Sequence, residues 1–465
     1  MKWKTTLLLL LLTVGVGAYV SLHELKQPTP EERSRLANRV VNLNPEEVTG
    51  LLVTAPKGTV TLQRISNVWQ VVSPRRLRAE APLVSRILNH LNPLEAEHVL
   101  RQTTERPLAP ADYGLQSPAA TLTVITADRT MKLLFGDATA VGANRYLSME
   151  GTPVLYVVSA SLVELLVQPL DAFRSHDLVD VTAEEIQRIT VVSPSSSYTL
   201  ARTSEPASAT HADRWRLTHP VDDPADSGVA STIVSALRGL RAERFLTDEF
   251  TEGDLARFGL AAPYATITIA VTEGDPPLEL VIGKVTEDND QRRTAKRSDE
   301  PTVFAVASAK VEELLRDPQE LRSRACFDFF ASQVAKLQVS WEGAPWTIER
   351  QQKTWKASDG TELDDAEVEE FLWKIRDITL TRFVEDAPQD LARYGLDPAK
   401  GTIRVWLTGQ SDPQGLSVGE TIDGGATRYG WMSGRAEVVE LPESLNEILT
   451  ATPEALKAVM PSASE

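Results

Sequence analysis

Tyr113-Gly114-Leu115-Gln116-Ser117-Pro118-Ala119-Ala120-Thr121-Leu122-Thr123-Val124 is the stretch on which the fold assignment turns. It joins an aromatic-Gly-Leu tripeptide to a proline and then to an alternating run, and the combination returns twice. Phe258-Gly259-Leu260, Pro263 and Thr266-Ile267-Thr268-Ile269 lie 145 residues further on; Tyr394-Gly395-Leu396, Pro398 and Thr402-Ile403-Arg404-Val405 lie another 136 beyond. Alternation at period two predicts a strand with one buried face. Glycine at the second place supplies the positive φ that a turn after a helix requires.

Other landmarks keep step. Trp69, Trp215 and Trp355 precede the three tripeptides by 44, 43 and 39 residues. Phe135-Gly136-Asp137, Ile282-Gly283-Lys284 and Val418-Gly419-Glu420 read as glycine turns that close the alternating strand. Second apolar strands are predicted at residues 154–158 and 303–306 and, in a more polar form, at 437–441; each leads into a helix-like segment at 161–166, 309–315 and 444–449. Between each tryptophan and its tripeptide lies an amphipathic helix. Its apolar stripe is Leu83, Ile87, Leu88 and Leu91 in the first copy, Ile233, Leu237 and Leu240 in the second, and Val368, Phe371, Leu372 and Ile375 in the third. Pro82 suits a first helical turn, and Asp364 and Asp365 suit a helix N-terminus.

Strands that follow one another through short turns predict antiparallel sheets with helices on one face, an α+β fold repeated three times. Units of this length are domain-sized, well beyond the roughly 20–45 residues of a solenoid repeat. The predicted organisation is a membrane anchor at 1–25, a stalk at 26–39, repeat units at 40–172, 173–322 and 323–460, and a tail at 461–465. Residues 203–213 read as a Ser/Ala/Pro-rich loop, and the charged residues 287–297 as a solvated hairpin tip.

The N-terminus carries Lys2 and Lys4 before an uncharged run over residues 5–22 that includes six consecutive leucines. A helix of that length measures about 27 Å at ~1.5 Å per residue, close to a hydrocarbon core of about 30 Å. A signal anchor is the preferred reading, with a cleaved signal peptide ending at Val16-Gly17-Ala18 as the alternative. The short basic n-region places the bulk of the chain outside the cytoplasm, giving a single-pass protein of the inner membrane with a periplasmic body.

Hydrophobic residues make up 42% of the 465, enough to fill cores. With 48 basic against 65 acidic side chains the net charge is -17, which repels nucleic-acid phosphates and sets that class of partner aside. The single cysteine, Cys326, excludes an internal disulfide.

No catalytic, cofactor or metal residue is assigned. None of the six histidines forms His-Glu-x-x-His, and His211 and His219 around Asp213 read as loop residues. His90 and His98 read as surface or partly buried imidazoles. Gly283-Lys284 lacks the first glycine and the Ser/Thr of a phosphate loop, and Glu287-Asp288-Asn289-Asp290 lacks the glycine and ligand spacing of a calcium loop. No Gly-x-Ser-x-Gly elbow occurs. The recurring Trp and Tyr/Phe read as core packing rather than as ligand-stacking platforms.

Trp69 with Tyr113-Gly114-Leu115 and Gly136, Trp215 with Phe258-Gly259-Leu260 and Gly283, and Trp355 with Tyr394-Gly395-Leu396 and Gly419 form an ordered set spanning most of residues 40–460. The set resembles the bacterial domain-of-unknown-function family number 4340. That resemblance implies a membrane-anchored extracytoplasmic protein that accompanies an ABC-type exporter and its gliding-motility-like auxiliary component. It carries over no catalytic residue. The expected function is therefore a non-catalytic accessory or scaffold, with the membrane and ABC-type permease or auxiliary subunits as partners. An envelope glycan- or polymer-binding module is the alternative, and a carboxylate-dependent hydrolase the remaining one.

Overall fold

The computed structural model describes residues 3, 38–102, 108–140, 143–203, 215–272, 274–352 and 354–457. The anchor and stalk, apart from Trp3, Asn38 and Arg39, lie outside the described residues, as do residues 204–213 of the predicted loop and the 461–465 tail. Among the described residues no helix is long and apolar enough to cross a membrane. The chain divides into two compact units, residues 1–176 and 177–465; the first holds one repeat and the second holds two.

The predicted α+β repeat is present three times, as antiparallel sheets of nine, nine and eight strands among the described residues. In the first repeat Val48–Ala55, Gly58–Ile65, Val68–Ser73 and Leu77–Arg78 run outward as a meander to one edge. Helix Ala81–His90 follows, and His98–Arg101 takes the opposite edge. Ala120–Thr126 then returns to the centre beside Val48–Ala55. Thr130–Ala138, Asn144–Met149 and Val154–Ser159 step outward until the last pairs with His98–Arg101. The second and third repeats use the same order, centred on Arg188–Val192 with Ala265–Ala270 and on Val334–Trp341 with Gly401–Leu407.

Each helix forms because its apolar residues recur at three- and four-residue spacing. Leu83, Val84, Ile87 and Leu88 are buried in Ala81–His90; Ile233, Val234 and Leu237 in Ser227–Arg238; and Val368, Phe371, Leu372 and Ile375 in Asp365–Arg376. Asp226 and Asp364 cap the second and third of these helices, Asp226 accepting from the Val229 N–H at 2.9 Å and Asp364 from the Ala366 N–H at 2.9 Å. The helices and the inward strand residues form one core per repeat.

Two expectations need correction. Gly136, Gly283 and Gly419 do not sit in turns; they lie inside strands Thr130–Ala138, Leu278–Thr286 and Gln414–Thr421. Of residues 287–297 only Glu287 and Asp288 form the expected hairpin tip. Asn289–Arg297 is an interior strand paired on both sides. Its charge is tolerated because Arg297, almost wholly buried, is met by Asp180, Asp299 and Glu300 at 3.3, 2.7 and 3.3 Å. Each repeat also has edge strands that the periodicity did not reveal: His98–Arg101, Ala242–Thr247 and Arg382–Glu385.

Candidate functional site

The recurring motifs interlock. Gly114, Gly259 and Gly395 adopt φ of 68°, 69° and 65°, the left-handed turn expected of the tripeptide. That turn lays the preceding aromatic carbonyl onto the strand glycine. A Cβ at Gly136, Gly283 or Gly419 would fall 2.0, 2.2 or 2.1 Å from the carbonyl oxygen of Tyr113, Phe258 or Tyr394. Turn glycine and strand glycine are two halves of one contact.

The aromatic-Gly-Leu segment does not join the main core. Phe258 and Leu260 cluster with Val303, and Tyr394 and Leu396 with Val438, whereas the neighbouring Phe304 and Val439 belong to the main cores. Since alternate strand residues point to opposite faces, the motif covers the second face of the outer strands. An arginine from the next strand completes the contact: Arg145, Arg293 and Arg428 donate to the carbonyls of Gly136, Gly283 and Gly419 at 2.9, 3.5 and 3.5 Å. Tyr113 meets Tyr146, and Tyr394 meets Tyr429, edge to face at 4.9 Å. In the second repeat the Thr294 hydroxyl instead donates to the Phe258 carbonyl at 2.6 Å.

The tryptophans take a different role, on the helix-covered face. Trp215 and Trp355 are buried in the second and third cores, while Trp69 is half-buried against the first. Arg202 and Arg350 lie over Trp215 and Trp355, each 4.9 Å from the ring. Arg64, Arg202 and Arg350 each face the tryptophan across the strand pair and donate to carbonyls at the start of their own repeat.

Within the second compact unit, the two repeats are joined by a linker hydrogen-bonded on both sides. On the side of the second repeat, the Asp226 N–H donates to the Leu321 carbonyl and the Ser323 N–H to the Pro224 carbonyl, both at 2.8 Å. On the side of the third, the Cys326 N–H donates to Ile378 at 3.1 Å and the Leu380 N–H to Arg324 at 2.9 Å. A buried ionic cluster sits at this junction. Arg322, 1% exposed, donates through Nε to Asp223 Oδ2 at 2.8 Å and through Nη1 to Asp386 at 2.6 Å, with Glu437 at 3.8 Å. Arg435 reaches the same Asp223 oxygen at 2.8 Å and Glu437 at 2.5 Å. Phe383 covers the Arg322 guanidinium at 3.6 Å. Burial works against the Arg322 cation, but the Asp223 and Asp386 carboxylates more than offset it and hold its pKa above the ordinary arginine value. Asp223 belongs to the second repeat and Arg435 and Glu437 to the third, so the cluster ties the two together.

Beside the cluster opens a cleft of about 570 Å³, shared by the second and third repeats. Trp215, Pro224 and Ala225 line it from one side and Phe327, Gln414 and Met432 from the other. Cys326 also lines it, but the residue is buried and burial pushes its thiol up to about 12.

Of these junction residues the sequence had singled out only Trp215, for its recurrence, and Cys326, as the single cysteine. Of the residues it did weigh, His90, His98 and His219 are exposed, while His211 and Asp213 lie outside the described residues. Lys284 is exposed and pairs with Glu287 at 3.5 Å, and Asp288 pairs with Arg244. Among the described residues no group of three His, Cys, Asp or Glu side chains is placed to hold a metal ion.

The family model described as Domain of unknown function (DUF4340) matches three successive stretches, residues 69–213, 215–364 and 355–458. The chain belongs to the DUF4340 family. The matches begin at or just beside Trp69, Trp215 and Trp355, so each DUF4340 stretch starts inside a sheet. The first leaves out Val48–Ala55 and Gly58–Ile65, two strands in the interior of the first sheet. No curated protein matches the chain.

Proposed function

We propose that this DUF4340 protein is a non-catalytic, membrane-tethered accessory or scaffold protein, with its three repeats outside the cytoplasm, serving an ABC-type envelope transport complex. The observation that carries the reading is the use made of the recurring residues. Aromatic-Gly-Leu, strand glycine, tryptophan and the two arginines all go into holding sheets together, which suits a body that presents surfaces to partners. The uncharged run at residues 5–22 behind Lys2 and Lys4 supports the tether. A polymer-binding role has less to rest on, because of the three recurring tryptophans Trp215 and Trp355 are buried and only Trp69 is half-exposed. The test is purification of the tagged full-length chain from mild detergent, with co-purifying proteins identified. Permease and ATPase subunits are expected; a protein that always purifies alone would count decisively against the proposal.

A further inference from the structure

We infer that the cleft between the second and third repeats receives an acidic, part-apolar peptide segment of a protein partner, with Arg324 as the principal counter-ion. The inference deepens the accessory reading and rests on it for the nature of the partner. The chain as a whole is strongly acidic, at -17, yet among the described residues four arginines line this cleft, Arg216, Arg324, Arg376 and Arg435, against two aspartates, Asp226 and Asp328. Asp226 is committed to capping its helix through the Val229 N–H. Arg435 is committed to Asp223 and Glu437, Arg216 pairs with Asp222, and Arg376 with Asp377 at 2.7 Å. Arg324 differs. It is exposed, its guanidinium donates to the neutral Thr381 carbonyl at 2.9 Å, and no carboxylate of the described residues pairs with it. A cation with no carboxylate partner among the described residues, in a concave site of a chain with a net charge of -17, selects an anion and steers it there. Trp215, Phe327 and Met432 offer an apolar wall beside it, so the ligand carries apolar side chains next to its acid groups. The volume falls in the range of sites that enclose a ligand of a few residues. Stitching of the linker to both repeats keeps the two walls in register, so the cleft is formed before the partner arrives.

The experiment uses the full chain in mild detergent, with fluorescence anisotropy of a fluorescein-labelled peptide alternating glutamate and alanine, its lysine counterpart, and a detergent-only blank. The glutamate peptide is expected to bind and to weaken as salt rises, and the lysine peptide is not. Arg324→Glu is expected to lower affinity roughly tenfold or more, as loss and reversal of a key charge at an interface does. Arg188→Glu, on an exposed strand position away from the cleft, is expected to change little. Thermal melting checks that each variant folds, and Arg216→Glu serves as the second cleft variant should Arg324→Glu fail that check. No binding of the glutamate peptide, equal binding of the two peptides, or equal loss from Arg188→Glu overturns the inference. Arg324-dependent binding by a protein that nonetheless purifies without transporter subunits upholds the cleft and removes the accessory reading. Transporter subunits recovered as well by Arg324→Glu as by the unaltered chain, with no peptide binding, do the reverse.

Discussion

Gly283→Ala puts the interlocked glycines to a quantitative test. The added Cβ would meet the Phe258 carbonyl oxygen at 2.2 Å and the Thr294 hydroxyl at 2.3 Å, where ordinary non-bonded carbon contacts sit at about 3.5 Å. Thr294 can rotate away, but a backbone carbonyl can yield only if the whole Phe258-Gly259-Leu260 turn lifts. Lifting it exposes Phe258 and Leu260, now buried, at about 1.5–3 kcal/mol each, and breaks the 2.6 Å Thr294 hydrogen bond, worth about 1 kcal/mol. The better strand propensity of alanine returns roughly 0.5–1 kcal/mol. The net cost is about 3–6 kcal/mol, a large part of the ~5–15 kcal/mol that stabilises a typical domain. Gly253→Ala is the matched control, because its Cβ would meet nothing nearer than the Thr251 hydroxyl at 3.7 Å. A chain of several domains does not unfold in one step, so the readout must be local. Hydrogen exchange of strands Leu278–Thr286 and Val303–Ala307 should accelerate in Gly283→Ala and not in Gly253→Ala. Protection in those strands equal to that of the control, with the same urea midpoint, would show that the turn is not seated on the glycine.

Arg322→Ala leaves Asp223 and Glu437 buried short of a cation and should cost about 3–5 kcal/mol; a melting temperature equal to wild type would mean the cluster is not buried as described. Trp355→Ala removes a side chain 1% exposed and should cost about 3–5 kcal/mol, whereas Trp373→Ala, at a position 50% exposed, should stay within about 0.5 kcal/mol; denaturant unfolding with equal losses for both would refute the packing role. Cys326 should resist maleimide at neutral pH until the protein unfolds, so rapid labelling of the native chain counts against its burial. Because its folded pKa is raised, to about 12 against roughly 8.5 for a free thiol, its contribution to stability is complete below about pH 8.5 and is lost as pH rises towards 12. The loss runs at up to ~1.4 kcal/mol per pH unit, and Cys326→Ala should flatten that part of the stability curve, measured by urea unfolding across pH 8–11.

The repeat, the three main helices and the central strands were legible because each is written in a short local string. Tyr113-Gly114-Leu115 and its copies reveal themselves by comparison within the chain, and period-two runs such as Thr121 to Val124 need no partner to be recognised. What was missed depends on partners far along the chain. The edge strands His98–Arg101, Ala242–Thr247 and Arg382–Glu385 share no pattern with one another; they are strands because Val154–Ser159, Val303–Ala307 and Val438–Leu441 offer them an edge. Asn289–Arg297 looked solvated because charge normally marks surface, and only the distant Asp180 together with Asp299 and Glu300 makes its Arg297 acceptable inside. Glycine after an apolar residue reads locally as a turn, as at Gly136, Gly283 and Gly419. Here the cause is close approach of another backbone, which no local pattern records. Asp223 and Arg435 are 212 residues apart, so the ionic cluster had no local signature at all.

This division bears on where function resides. A residue that recurs in all three repeats solves a problem that all three share, and here that problem is how to cover both faces of a broad antiparallel sheet with few helices. The tryptophan and helix cover one face, and the aromatic-Gly-Leu turn on its glycine covers the outer half of the other. The charge proposed above to receive a partner is carried instead by Arg324, which does not recur. Arg324 aligns with His176 when the Ser-flanked linkers Arg174-Ser175-His176 and Arg322-Ser323-Arg324 are superposed by sequence. The arginine preceding the serine is kept in both linkers and is buried in both, as a structural residue should be. The residue after the serine changes from an imidazole, 3.5 Å from Glu80, to an exposed guanidinium with no carboxylate paired to it among the described residues. One position in a shared linker has thus exchanged a carboxylate contact for a hydrogen bond to the Thr381 carbonyl, and its charge, unpaired among the described residues, lines the cleft.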